Sequence, residues 1–252
     1  WNGYKVNVLD TPGYADFKGD MLSALQVADV GAIVISAVSG VEVGASQAWL
    51  QCNTRNLPRM IVVNKLDREN TDYRQVLDII TTSWGRECVA VNAPNGLEAD
   101  FTDTIDLVSP DAESTDAADL RERLIEAVAE ADDDLAEKYL ETLTLSQEDL
   151  TAGLKAGIAS GNLVPIVAVA ATSEVGIEGF LNAICSYLPS PEDETSASKP
   201  EVAANSSANF IFKTSADPFV GKISFFRVYG EPMKGDQQVW NDARGENERV
   251  GQ

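Results

Sequence analysis

The sequence has 252 residues, 44% of them hydrophobic, and a formal net charge of −21 from 40 Asp/Glu against 19 Lys/Arg, with no histidine. That length supplies core material for one large domain or two modest ones, and no apolar stretch approaches the roughly 18 residues of a membrane span. The acid excess excludes nucleic-acid binding through a general basic field, and the lack of histidine excludes His-based acid–base catalysis and His metal ligation within these residues.

Cys52, Cys88 and Cys185 are scattered and form no CxxC pair, so neither a disulfide framework nor a zinc site is expected, and a reducing cytoplasm suits them. The acid is concentrated. Residues 98–150 hold 18 Asp/Glu against 3 Lys/Arg. This block is a solvated face, a mark of a salt-adapted host, or a surface offered to a partner. The start WNGYKVNVLD lacks a basic n-region, so no signal peptide is expected; it also lacks an initiator methionine, so the chain is expected to be cut from something longer.

Residues 4–9 (YKVNVL) predict a strand feeding the turn Asp10-Thr11-Pro12-Gly13. Met21, Leu22, Leu25 and Ala28 predict a helix, GAIVIS (31–36) a buried strand, and Ala45, Ala48, Trp49 and Cys52 the inner side of a second helix. RMIVV (59–63) is a strand that runs into Asn64-Lys65-Leu66-Asp67, and Tyr73, Val76, Leu77, Ile80 and Trp84 stripe a third helix. This alternation argues for a parallel sheet wrapped by helices. After Cys88 come short strand-like pieces, then one long acidic helix striped by Leu120, Leu124, Val128, Leu135 and Tyr139. The next helix is expected to start at Ser146, with Asp149 completing a capping box, and to stop at Gly161. VPIVAVAA (164–171) is again a buried strand, and a closing helix carries Ile177, Phe180, Leu181, Ile184 and Leu188 before Pro189. Residues 190–207 are polar and linker-like, and from Asn209 the pattern is all-β.

Two short motifs carry chemistry. In DxxG, an Asp at a strand end reaches a Mg²⁺ ion, usually through water, and a Gly lets its backbone N–H approach the terminal phosphate of a nucleotide. Asp10, Thr11, Pro12 and Gly13 supply this string. In NKxD, the Asp carboxylate accepts two parallel hydrogen bonds from guanine's ring N–H and exocyclic amine, the Lys stem packs on the base, and the Asn braces the loop. Asn64, Lys65 and Asp67 supply it at the end of a buried strand, 54 residues after Asp10. At the end of the VPIVAV strand, the backbone of Ala170-Ala171-Thr172 is a further candidate for guanine contact, although Ala170 stands where such loops usually carry Ser.

Over its whole length the chain resembles translation elongation factor G. The matching stretches are DTPGYADF, AVSGVEVGASQAWLQC, LPRMIVVNKLDR, EAVAEADDDLAEKYL, GFLNAICSYLPSP and DPFVGKISFFRVYGEPMKGD, in the family's order. The resemblance implies a P-loop-NTPase-type α/β G domain, incomplete at its N-terminal strand and P-loop, over 1–87 and 163–189. It further implies an acidic α+β insertion over 88–162, a linker over 190–208 and the beginning of a β-barrel domain over 209–252. It implies GTP/GDP and Mg²⁺ as cofactors, with Asp10 as the metal-side carboxylate, Asp10 to Gly13 at the phosphates and Tyr14 to about Met21 in the switch that senses the γ-phosphate. Asn64, Lys65, Asp67, Ala170 and Ala171 fall at the base. It also implies a cytoplasmic monomer that hydrolyses GTP on the ribosome in elongation, its insertion facing the stalk protein. A ribosome-protection or release-factor-like GTPase and a non-hydrolysing ribosome-binding scaffold are the alternatives.

Two departures stand out. No GxxxxGK(S/T) string occurs in the 252 residues. Because the family places the strand before that loop between the strand ending at Asp10 and GAIVIS, a gap or mispairing is expected there, with weak or undetectable GTP binding by these residues alone. Tyr14 stands where the family carries the histidine that orients the attacking water, and DTPGYADF resembles a divergent elongation-factor-G-like subgroup. An uncharged phenol can hydrogen-bond a water but cannot act as a protonated imidazole.

Overall fold

The computed structural model describes residues 1–114, 117–193, 202–203 and 206–250. Two compact units divide the chain, residues 1–197 and 198–252.

The first unit follows the alternation of strand and helix. Helix α1 (Lys18–Leu25) leads to β1 (Gly31–Ser36), α2 (Val43–Thr54), β2 (Arg59–Asn64), α3 (Tyr73–Trp84) and β3 (Cys88–Ala90). The hairpin β4 (Asn92–Asn95) and β5 (Asp103–Asp106) follows, then α4 (Ala118–Glu130), α5 (Asp133–Thr142) and α6 (Gln147–Ser160), and finally β6 (Val164–Ala168) and α7 (Ile177–Tyr187). Among the described residues, β1, β2, β6 and β3 form a parallel sheet in the order β1-β2-β6-β3. Every residue of β6 is buried, as is β2 up to Asn64, as expected of parallel strands covered on both faces. Helix α2 packs on β1, α3 and α4 on β3, and α6 and α7 on β6.

All five apolar positions foreseen for α3 are buried, and Asp72 caps the helix by accepting from Gln75 N. A buried cation fixes α2 to the sheet. The Arg59 guanidinium lies 3.8 Å from the Trp49 ring centre, and Trp49 stacks on Trp84 at 4.7 Å. The Ser146 cap and the left-handed Gly161 stop bound α6 as foreseen, with Asp149 N donating to Ser146 Oγ.

Four expectations are corrected. Residues 4–9 form no strand; Val8 is 80% exposed, and Trp1 and Asn2 instead hydrogen-bond to Asn182 on α7. A strand needs a ladder partner for its backbone groups, and among the described residues β1 ends the sheet with none on its outer edge. The expected irregularity at this edge thus takes the form of an unpaired segment. Helix α1 stops at Leu25, short of Ala28, and it is Ala24 and Val27 that are buried, with Met21, Leu22 and Leu25 half-buried. The single long acidic helix is two helices. Asp132 caps the second by accepting from Asp134 N and Leu135 N, an arrangement that needs extended backbone and so breaks the run. Lastly, Cys88–Ala90 pairs with Val164–Ile166 of β6, so the sheet claims the first residues of the 88–162 stretch.

The helices after the β4–β5 hairpin share one continuous core with the sheet. A methyl group on Gly153 of α6 would meet the side chains of Val128 and Leu135 well inside contact distance, and both are buried. Gly153→Ala is therefore expected to destabilise the protein by about 1–3 kcal/mol, read as a lower urea midpoint.

Residues 194–201 and 204–205 of the expected linker lie outside the described residues. The second unit pairs β7 (Ser207–Asp217) with β8 (Gly221–Gly230), and β9 (Gln238–Asn241) with β10 (Glu246–Arg249), both antiparallel, in keeping with the first strands of a barrel. The β7–β8 turn is built by Asp217, whose Oδ1 accepts from Phe219 N at 2.8 Å and Val220 N at 2.9 Å; these bonds hold its carboxyl below the usual range.

Candidate functional site

Parallel strands deliver their carboxyl ends to one edge of a sheet, and loops leaving that edge are where such folds build sites. β2 ends at Asn64 and β6 at Ala168, and Ala37 N, just past β1, donates to Asn64 O at 2.8 Å. The loops after these strands hold the candidate base-reading residues.

Asn64 joins the two loops. Its Oδ1 accepts from Lys65 N at 2.8 Å and from Ala171 N at 3.0 Å. Lys65 sits at φ +67, a left-handed conformation that costs a residue with a side chain about 1 kcal/mol or more, and its side chain is exposed. Leu66 is buried beneath the loop, while Asp67 is half-buried. The turn closes through Arg68 N donating to Lys65 O, and Thr71 Oγ1 donating to the carbonyls of Leu66 and Arg68.

In the second loop Ala170 is fully buried, and its N–H donates to Val175 O while its carbonyl accepts from Val175 N. The loop returns through Gly176, at φ +77, where a Cβ would lie 2.5 Å from Ala168 O and 3.1 Å from Thr104 Cγ2. Only glycine meets both demands. The two candidate backbone donors thus differ. Ala170 N–H is held within its own loop, whereas Ala171 N–H rests on a side chain that a ligand carbonyl can replace.

The DTPG segment is irregular. Asp10, Pro12 and Gly13 are exposed, Thr11 is half-buried, and Tyr14 is 79% exposed. Gly13 nevertheless lies against the first turn of α2, where a Cβ on Gly44 would sit 2.5 Å from Gly13 O. Because α2 starts beyond the carboxyl end of β1, the DTPG turn reaches the same edge of the sheet as Asn64. No hydrogen bond joins residues 10–14 to 64–67 or 170–171 among the described residues. Gly44→Ala sets a methyl group against the Gly13 carbonyl, so the exposed DTPG segment must move aside; it is expected to speed amide exchange over residues 10–17 with little change in melting temperature.

Asn92 of β4 went unnoticed in the sequence. It is buried, and its amide pairs with both backbone groups of Ala168, two residues before Ala170: Ala168 N donates to Oδ1 at 2.7 Å and Nδ2 donates to Ala168 O at 3.2 Å. A buried polar residue next to an apolar strand is the signal that would have drawn attention to it.

The donor set can be matched to ligand chemistry. An acceptor-only carboxylate at Asp67, on the loop that Asn64 ties to Ala171 N–H, is a set that a ring with donors on one edge and a carbonyl next to them would suit, as guanine does. The exposed Asp10 carboxylate in the DTPG turn is a group that Mg²⁺ would accept, since that ion takes one or two carboxylates and completes its shell with water and phosphate oxygens. Among the described residues no three His, Cys, Asp or Glu converge on a metal position, and no helix is long and apolar enough to cross a membrane.

Known proteins resemble this chain in sequence and fold. Residues 1–190 match the family model described as the elongation factor Tu GTP binding domain. Elongation factor G of Thermotoga maritima is 32% identical over 281 aligned positions, which cover 99% of this chain and 40% of that protein. A crystal structure of a Thermus thermophilus protein superposes with a TM-score of 0.80 at 28% identity, covering 96% of this chain and 37% of that one. The chain thus spans about two-fifths of the length of the relatives it matches. With this match over most of its length, the chain belongs to the elongation factor Tu GTP-binding-domain family and, within it, to the elongation factor G type.

Proposed function

We propose that this chain forms the guanine-reading part of a GTP-binding translation factor of the elongation factor G type, which acts on the ribosome in the elongation, or translocation, step. The observation that carries the reading is the 3.0 Å hydrogen bond from Ala171 N to Asn64 Oδ1, which sets the NKLD and Ala170-Ala171 loops side by side. Asp67 accepts from the ring N–H and amine of guanine, and the Lys65 stem covers the base. The base carbonyl takes Ala171 N–H in place of Asn64 Oδ1. Ala170 contributes by fixing the loop, since its own N–H is held by Val175.

At the other end Asp10 would hold Mg²⁺ and Gly13 would meet the γ-phosphate, with Thr11 and Pro12 shaping the turn. Bound Mg²⁺ supplies charge neutralisation at the phosphates. Gly13 suits its role because space around its Cα is open: an added Cβ would meet nothing within 4 Å. The natural protein in its full length is read as a cytoplasmic GTPase and a monomer, and the three free thiols suit that compartment. The acidic insertion is read as the face for the ribosomal stalk protein. Supporting this, α4 and α5 flank a cavity of about 200 Å³ lined by Arg121, Glu122, Ile125, Tyr139 and Leu143, with Leu140 exposed nearby.

The test is release of phosphate from GTP by the full-length protein with and without ribosomes. Ribosome-dependent release supports the reading; binding to ribosomes without any turnover favours a second one, the non-hydrolysing scaffold. Tyr14, an uncharged phenol in the position where the family carries histidine, is what favours that alternative.

A further inference from the structure

The hairpin β4–β5 is inserted sequence, yet it touches both base-reading loops. β3 leaves β6 after Ala90, and Val91 N donates one more ladder bond to Ile166 O at 3.0 Å. Beyond that point the strand turns away, and the Asn92 side chain continues the ladder. Its amide offers Ala168 one acceptor and one donor, as a neighbouring backbone would. On the opposite side Ala168 is paired with Val63, and Val169 N donates to Val63 O at 2.9 Å, directly before Asn64. Asn92 is fixed in turn. The buried Tyr73 hydroxyl, at the end of the NKLD loop, donates to Asn92 O at 3.0 Å. Lower on the same hairpin Glu98 Oε1 accepts from Asn70 N at 2.6 Å.

We propose that Asn92 is a positioning residue for guanine recognition, which through Ala168 holds the Ala171 N–H at the height where the base carbonyl meets it. The inference rests on the guanine-reading function proposed above. Without the amide, β6 from Ala168 onward is held only from the β2 side, and the loop from Ala170 to Val175 shifts relative to Asp67, which is carried by a different strand. Asp67 itself stays in place. The effect therefore falls on the carbonyl side of the base and spares the amine side, a split that a general loss of stability would not produce.

The experiment measures affinities of the full-length protein for GDP, 6-thioguanosine diphosphate and inosine diphosphate. The thio analogue probes the carbonyl contact with a larger, weaker acceptor, and inosine lacks the amine read by Asp67. In Asn92→Leu, of similar size and without hydrogen bonds, GDP affinity is expected to fall about 10-fold and the preference for GDP over the thio analogue to narrow, while the preference over inosine is retained. Tyr73→Phe, which removes only the hydroxyl that holds Asn92, should shift the same ratio the same way by a smaller factor, and it decides the matter if Asn92→Leu fails to fold. Equal loss for all three nucleotides, or unchanged ratios in folded variants, overturns the role of Asn92 while leaving guanine reading intact. Absence of guanine selectivity in the unsubstituted protein overturns the underlying reading, and the role of Asn92 with it.

Discussion

Asp67→Asn is expected to lower GDP affinity of the full-length protein by about 10³-fold or more and to raise affinity for xanthosine diphosphate. A site built to hydrogen-bond particular groups discriminates by factors of about 10⁴ because a mismatched ligand leaves buried polar atoms unpaired. The Asp67 carboxylate is acceptor-only, which suits the two donors on that edge of guanine. An amide offers one acceptor and one donor group, which suits xanthine, whose edge carries one N–H and one carbonyl. Half-buried at the end of the loop from Asn64, Asp67 is partly withdrawn from the water that would otherwise serve the mismatched edge. Equilibrium dialysis with both nucleotides checks the exchange of preference. Equal binding of both by the unsubstituted protein would remove Asp67 from the base pocket.

Tyr14→His is expected to raise ribosome-stimulated GTP hydrolysis by about 10²-fold, in line with the contribution of one positioned acid–base side chain. Imidazole exchanges protons near neutral pH, whereas a phenol is uncharged there and offers the attacking water only a hydrogen bond. Tyr14 is 79% exposed, so the change costs no core packing and its effect on stability should be small. Single-turnover phosphate release with ribosomes in excess is the measurement. Equal, fast rates for both proteins would mean that Tyr14 does not limit hydrolysis.

What the sequence revealed, and what it hid, divides along physical lines. Helix α3 was legible because Tyr73, Val76, Leu77, Ile80 and Trp84 recur at helical spacing and have a sheet to face, and β6 because an unbroken apolar run flanked by turns suits a strand covered on both sides. Strand propensity in residues 4–9 was legible too, but a strand exists only as part of a ladder, and the pairing belongs to the neighbour and not to the segment. The break at Asp132 was hidden because Leu135 and Tyr139 keep the stripe going; the competing signal, an Asp able to cap backbone N–H groups, lay in the run Asp132-Asp133-Asp134. For the candidate site, the NKLD string marked the loop in which Asn64 Oδ1 accepts from Lys65 N and Ala171 N. That Ala170 N–H is held internally while Ala171 N–H remains exchangeable follows from loop closure on Val175. The Asn92 clamp joins residues 76 positions apart, a distance over which local pattern carries no information.

The most direct test of the account is a comparison of GDP and ADP binding by the full-length protein under identical salt and Mg²⁺. Guanine recognition through Asp67 and Ala171 predicts that GDP binds more tightly by a factor of about 10³ or more. Equal affinity for the two, or tighter binding of ADP, would contradict it.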